Sequence, residues 1–190
     1  MNREADSSCL NTRCHMPDTV VRITRHFTDI EICVPKIKKL VRTVCERFGA
    51  AEQPDTGYEV AIALVDDNEI RRLNARFLNR KGATDCLSFD LTEHNRPQKH
   101  ARGRCSKPTG TFELVVNAQR ALEQAKSRRH CPQAELALYI THGLLHQFGF
   151  NDSEKAEAEK MHDTEDRILQ EQGFGTVYKN SVKRRQRKGL

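Results

Sequence analysis

Two histidines and an aspartate within residues 142–152 have the types and spacing of metal ligands. His142 and His146 are four residues apart, so in a helix they lie on one face, about 6 Å apart along the axis, and can reach one ion. Gly149 can end that helix in a left-handed conformation, and the next turn can return Asp152 toward both rings. Two imidazoles and a carboxylate leave a fourth position open, as in catalytic zinc sites. The pattern therefore predicts one Zn2+ per chain.

An alternative remains open, because histidines four residues apart also occur by chance or as hydrogen-bonded core residues. The predicted helix is strongly apolar, so its histidines should be partly buried and need polar partners; its apolar residues are Leu136, Tyr139, Ile140, Leu144 and Leu145. Gly143 and Gly149 are unfavourable there unless a neighbour approaches closely or the chain turns. These features favour a metal site. His162 is a further candidate ligand, but we expect it on the opposite side of the turn, at the surface.

Hydrophobic periodicity predicts the elements that position these residues. Strands are expected at residues 19–24, 58–65, 84–91 and 110–116. Helices are expected at residues 34–48, 69–77 and 118–128, from Pro132 to Gly149, and in a last segment that ends near Gly173. Asp66 can cap the second helix. This order predicts a single α+β domain, a four-stranded mixed sheet packed with about five helices, with the metal site on a helix and turn in the C-terminal half.

Length and composition agree with one domain. A chain of 190 residues can bury a hydrophobic core without disulfide bonds or structural metals. No apolar run approaches the roughly 20 residues that cross a bilayer. The polar residues 1–13 lack the apolar stretch of a secretory signal, so we expect a cytoplasmic protein without a membrane partner. The seven cysteines are odd in number and contain no C-x-x-C pair, which indicates reduced thiols.

The net charge of +6 is concentrated at one end of the chain. Residues 179–190 contain six Lys and Arg and no acid, which leaves 26 basic and 26 acidic side chains elsewhere. We expect residues 176–190 to be a basic tail that contacts phosphate or only solubilises the protein. Residues 1–17 are expected to be a disordered extension, so the domain spans residues 18–175. The basic stretch at residues 92–109 is either a solvated insertion or a phosphate contact.

Four segments carry a family resemblance, and the first of them in the chain consists of two stretches, residues 73–78 and 83–89. Residues 142–152 are similar to the pattern H-G-x-L-H-L-x-G-Y-D-H, residues 73–78 to L-N-x-x-Y/F-R, and residues 83–89 to P/A-T-D-V-L-S-F. Residues 110–125 and 157–169 are similar to the strand and helices that follow in the same family. Together they cover about residues 18–173, and the chain resembles the YbeY family of bacterial metal-dependent endoribonucleases.

The resemblance implies a function. By this resemblance the chain would be a zinc-dependent endoribonuclease specific for single strands. It would act in ribosomal RNA processing, where it matures the 3' end of small-subunit 16S rRNA, and in ribosome quality control. Ribosomal RNA and the small ribosomal subunit are the implied partners, and the oligomeric state stays open. By the same resemblance Ser88 borders the active cleft, although an ordinary strand serine is an equal alternative.

The chain departs from the family's pattern at two positions. The third ligand is usually histidine and is Asp152 here, which removes one unit of positive charge from the site and should move activity to higher pH. The family's arginine, which is thought to serve substrate phosphate, aligns with Leu78. Arg76 and Arg80 flank that position and are the candidates to replace it.

Two other functions stay open. The first is a zinc hydrolase of another substrate class, such as a peptidase; Gly143 in place of the glutamate of H-E-x-x-H argues against it. The second is a ribosome-assembly binding factor with weakened catalysis, motivated by Leu78 and Asp152.

Overall fold

The computed structural model describes residues 19–49, 57–92 and 110–178. The predicted N-terminal extension, residues 93–109 of the basic insertion and residues 179–190 of the basic tail lie outside these ranges. The predictions about them therefore remain predictions.

Strands and helices follow one another in the predicted order. They are β1 (Val20–Arg25), α1 (Val34–Phe48), β2 (Tyr58–Val65), α2 (Asp67–Leu78), β3 (Cys86–Asp90), β4 (Gly110–Asn117), α3 (Ala118–Arg128), α4 (Pro132–Gln147) and α5 (Lys155–Glu171). Asp66 caps α2 as predicted, because its side chain accepts a hydrogen bond of 2.8 Å from the backbone N–H of Glu69. Local periodicity and capping therefore determine most of these boundaries.

The sheet is mixed and has the strand order β1-β2-β4-β3. β1 and β4 run parallel to β2, whereas β3 runs antiparallel to β4. Because β3 and β4 are antiparallel, the beginning of β3 and the end of β4 lie at the same end of the sheet, with Cys86 opposite Val116. Asn117 reinforces that end by donating from its backbone N–H to the Asp85 carbonyl at 2.8 Å. The α+β class and the four-stranded mixed sheet are confirmed.

Apolar clusters pack on both faces of the sheet. Leu114 and Val115 point to opposite sides, as successive strand residues do, and belong to separate apolar clusters. The larger cluster contains α1, α4 and α5, and in the smaller one Ile70 of α2 packs against Val65 and Leu87. α4 contacts α1, α3, α5, β3 and β4, and it buries residues around its whole circumference. Packing on every side therefore fixes the orientation of the helix that carries the two histidines.

Two glycines allow this arrangement. A Cβ on Gly143 would lie 2.5 Å from Leu114 Cδ2 and 2.7 Å from Cys86 Sγ, so α4 approaches the sheet more closely than any side chain would permit. Gly149 has a φ of 82°, which lets the chain turn after α4. The sequence predicted that these glycines allow a close approach or a turn of the chain. Gly143 allows a close approach and Gly149 a turn.

Two further features concern the cysteines and the lengths of the helices. Cys33, Cys45, Cys86 and Cys131 are free thiols, while the other three cysteines lie outside the described residues. Burial, with a contribution from the charge of Glu46, raises the pKa of Cys45 to about 12, so this thiol is unreactive. In the part of the chain that the structure describes, no helix has the length and apolarity needed to cross a membrane.

The close contact at Gly143 can be tested by substitution. Gly143→Ala should lower the free energy of unfolding by about 1–2 kcal/mol, because overpacking costs about 1–3 kcal/mol and Ala recovers about 1 kcal/mol of helix propensity. Urea unfolding followed by circular dichroism measures the change. In a Cys86→Ala background, with Cys86→Ala alone as the control, part of the loss should disappear because the Sγ contact is gone. A Gly143→Ala protein as stable as wild type would contradict the close approach.

Candidate metal centre

α4 and the turn after it bring the three predicted ligands together. His142 Nε2 lies 3.1 Å from His146 Nε2, and the two Asp152 carboxylate oxygens lie 3.8 and 3.9 Å from these nitrogens. The ligand atoms all lie within 4.8 Å of one another. In a tetrahedral zinc site with bonds of about 2.0–2.1 Å, ligand atoms are about 3.3 Å apart, so small movements would place these three around one ion. We refer to these three residues as the candidate metal site.

The outer nitrogen of each ring contacts an acceptor. His142 Nδ1 lies 2.8 Å from a carboxylate oxygen of Glu165, and His146 Nδ1 lies 3.0 Å from the backbone carbonyl of Phe150. A carbonyl oxygen cannot donate, so His146 Nδ1 carries the hydrogen and its Nε2 presents a lone pair to the site. The ionised carboxylate of Glu165 orients His142 in the same way. Metal-binding histidines are typically held in this manner.

The resulting donor set fits a divalent cation. Two ring nitrogens 3.1 Å apart, beside the Asp152 carboxylate, require a positive charge between them, which a proton or a metal ion can supply. Imidazole nitrogens and a carboxylate oxygen are ligands that zinc accepts. The three residues therefore fit a metal ion by chemistry as well as by distance, and their role as ligands stays a prediction.

Charges around the site favour a bound cation. Burial opposes charge on Glu165, but hydrogen bonds from His142 and His162 and the charges of both rings lower the pKa of this carboxyl overall. Burial likewise disfavours the charged form of His142, but the hydrogen bond and charge of Glu165, then Asp85 and Asp152, raise the pKa of this ring overall. The nearby carboxylates thus favour a positive charge at the His142 ring.

Glu165 is one of the residues at the site that the sequence analysis did not identify. It is 1% exposed, and its second oxygen lies 2.9 Å from His162 Nδ1. The sequence contained one signal, because Glu165 occupies a core position of the last helix together with Met161 and Ile168, where an acid needs buried partners. The surface position expected for His162 is wrong, since α5 packs on α4 and places this partly buried histidine in the same cleft as His142.

The candidate metal site opens into a cleft of about 820 Å3. Three arginines line this cleft: Arg80, Arg120 and Arg128. Arg76 does not line it; its guanidinium lies over the exposed ring of Phe77, 5.4 Å from the centroid. The sequence-based proposal of Arg76 as a phosphate contact is therefore not supported by its position. The reason is local, because Asn79 adopts a left-handed conformation with φ 51° that ends α2 and turns the chain before Arg80.

Arg120 and Arg128 were also missed by the sequence analysis. Arg120 starts near the carboxyl end of β4, and its Nη1 donates to the neutral Ala83 carbonyl at 3.2 Å, which leaves its charge uncompensated by that bond. Arg128 instead donates to the fully buried Glu135 at 2.8 Å. A general signal was present, because ligands of α/β sheets commonly bind at the carboxyl ends of parallel strands such as β2 and β4.

Ser88 lines the cleft where the resemblance placed it. Its Oγ accepts a hydrogen bond of 2.7 Å from Gln147 Nε2 at the end of α4. This contact joins β3 to the end of the helix that carries the histidines. A direct role of Ser88 in catalysis stays a prediction.

Comparison with known proteins identifies the family of this chain. The family described as Endoribonuclease YbeY matches residues 22–173. Endoribonuclease YbeY from Macrococcus caseolyticus is 31% identical over 136 residues, which cover 72% of this chain and 83% of the relative. The corresponding protein of Alkaliphilus metalliredigens is 32% identical over 163 residues, 84% of this chain and 98% of the relative. The solution structure of TM1509 from Thermotoga maritima covers 80% of this chain and 91% of its own, with 23% identity and a TM-score of 0.49. The chain belongs to the YbeY family of endoribonucleases.

Glu165 provides a direct test of how the histidines are held. Glu165→Ala should weaken zinc affinity about 10–100-fold, because it removes the acceptor that orients His142. Competition with a chromophoric chelator measures the affinity. Glu157→Ala is the matched control, since Glu157 is an exposed acid on the same helix. Unchanged affinity in Glu165→Ala, in a protein that remains folded, would show that this carboxylate does not support the site.

Proposed function

We propose that this chain is a zinc-dependent, single-strand-specific endoribonuclease that processes ribosomal RNA. The observation that carries the proposal is the convergence of two imidazole nitrogens and a carboxylate in an arginine-lined cleft of a YbeY-family chain. The proposed partners are ribosomal RNA and the small ribosomal subunit, at the 3' end of 16S rRNA and in ribosome quality control. Such a substrate implies that the enzyme works in the cytoplasm.

His142, His146 and Asp152 would hold one zinc ion. The nitrogen and oxygen donors, with near-tetrahedral spacing and one open side, favour zinc over magnesium, which prefers octahedral oxygen ligands. When bound, the ion supplies a Lewis acid that activates water and offsets charge on a phosphodiester. Glu165 and the Phe150 carbonyl keep both rings in the tautomer that binding requires.

Arg80 and Arg120 would bind the phosphate that is cleaved. Both residues line the cleft that contains the candidate metal site, where each guanidinium can donate hydrogen bonds to a phosphoryl oxygen and offset its charge. Arg80 can replace the arginine that the family has at the position of Leu78. Arg128 would contribute less to the stabilisation of phosphate charge, because the buried carboxylate of Glu135 already compensates its positive charge.

Unpaired nucleotides suit the cleft, because guanidinium groups of Arg80 and Arg120 line it together with the candidate metal site. Unstacked nucleotides can also turn their bases and phosphates toward a protein wall, which paired nucleotides cannot do. The peptidase alternative is disfavoured, because the position of the catalytic glutamate in H-E-x-x-H is Gly143, where a side chain would collide with Leu114 and Cys86.

Substitution of the arginines tests this proposal. Arg80→Ala and Arg120→Ala should each lower kcat/KM for a single-stranded RNA about a hundredfold, because each removes a charge that stabilises the transition state. Arg72→Ala is the control, since Arg72 is exposed on α2 and paired with Glu69. Initial rates with a fluorescent oligonucleotide give the comparison. Wild-type rates in both cleft variants would contradict phosphate binding by these arginines, and a loss in Arg76→Ala would restore the sequence-based candidate.

A further inference from the structure

The chain continues beyond α5 and turns back onto the domain. Gly173 and Gly175 have φ angles of 73° and 80°, which bend the backbone twice within three residues. Between them Phe174 packs against the core, with the Lys36 ammonium 4.1 Å from its ring centroid. Lys36 also donates to the Gly173 carbonyl at 2.8 Å. This turn is therefore attached to α1 as well as to α5.

A buried acid holds the next two residues. Asp166 of α5 is 1% exposed, and its Oδ1 accepts hydrogen bonds of 2.8 and 2.9 Å from the backbone N–H groups of Val177 and Tyr178. Val177 is 2% exposed and belongs to the large core cluster. A buried carboxylate is tolerated when hydrogen bonds compensate its desolvation, and here those bonds fix the backbone at residues 177–178. We refer to residues 174–178 as the anchor segment.

The anchor segment ends with an aromatic ring in the cleft. Tyr178 stacks on His162 with ring centroids 3.7 Å apart and an interplanar angle of 14°. Both residues line the cleft that contains His142, and His162 is in turn bonded to Glu165. Tyr178 is 36% exposed. The cleft thus presents a fixed aromatic surface close to the candidate metal site.

The sequence that follows this ring has a complementary character. The family match ends at residue 173, so the anchor segment lies beyond it. Residues 179–190 contain six basic side chains and no acid. An aromatic surface beside a run of positive charge is the combination by which proteins bind single-stranded nucleic acid, through base stacking and phosphate contacts.

We propose that Tyr178 stacks on an unpaired base of RNA in the cleft, and that the basic residues 179–188 bind the phosphates of the strand leading to it. This inference rests on RNA being the substrate, as proposed above. It assigns selectivity for single strands in part to Tyr178, because a paired base cannot leave its stack without cost. It also gives the basic residues a place of action, since Tyr178, which directly precedes them in the sequence, lines the cleft and is held by Asp166.

Binding measurements on the full-length chain test the Tyr178 part. Tyr178→Ala should weaken binding of an unstructured RNA oligonucleotide about tenfold and leave binding of a duplex RNA unchanged, because only a free base can stack. Tyr178→Phe should bind like wild type. Fluorescence anisotropy gives the affinities, and a gel confirms that the RNA is intact. Phe77→Ala is the matched control, since Phe77 is exposed and lines a different groove. Thermal melting and metal content of Tyr178→Ala should match wild type.

The tail is tested separately. Replacing its six Lys and Arg residues by Gln should weaken binding of both RNAs and reduce the slope of log affinity against log salt, because fewer counterions are released. Wild-type affinity for single strands in Tyr178→Ala, or an equal loss for duplex RNA, overturns the stacking role. An unchanged salt slope overturns the role of the tail.

The outcomes also separate this inference from the proposed function. If wild type cleaves RNA while these variants bind normally, only this inference fails. If wild type neither binds nor cleaves RNA, the proposed function fails with it.

Discussion

The hydrogen bond between His142 and Glu165 is the interaction on which the rest of the site depends. Glu165 is buried on α5 and shared by His142 and His162, so one carboxylate sets the tautomer of a candidate ligand and holds the opposite wall of the cleft. An acid in this position is stable only if both partners remain in place. The packing of α5 on α4 is therefore coupled to the orientation of the ring that would bind the metal.

The rest of the fold places positively charged groups in the same cleft as that ring. α4 packs against five other elements and approaches the sheet at Gly143, which places its histidines at the end of the sheet where β4 ends and β3 begins. At this end Arg120 enters the cleft from α3 and Arg80 from the turn after α2. A rigid helix thus faces cations from separate elements, which suits the preorganised electrostatics that phosphoryl transfer requires.

Features encoded locally were predictable from the sequence. Local features include the spacing of His142 and His146, the cap at Asp66 and the alternation of apolar residues. Each depends on residues within a few positions, and the observed helices and strands occur where these patterns predict them. The pairing of Glu165 with His142 spans 23 positions and depends on how α5 packs, so no local pattern reports it. Which of Arg76 and Arg80 lines the cleft depends on the left-handed conformation of one residue, Asn79. Hydrophobic periodicity does not reveal that conformation.

The most direct test of this account is the metal content of wild type and Asp152→Ala, measured by elemental analysis and followed by RNA cleavage with and without chelator. The account predicts about one zinc per wild-type chain, loss of that zinc in Asp152→Ala, and cleavage that stops with chelator and returns with added Zn2+. Cleavage by a zinc-free wild-type protein, or full zinc occupancy and activity in Asp152→Ala, would contradict it.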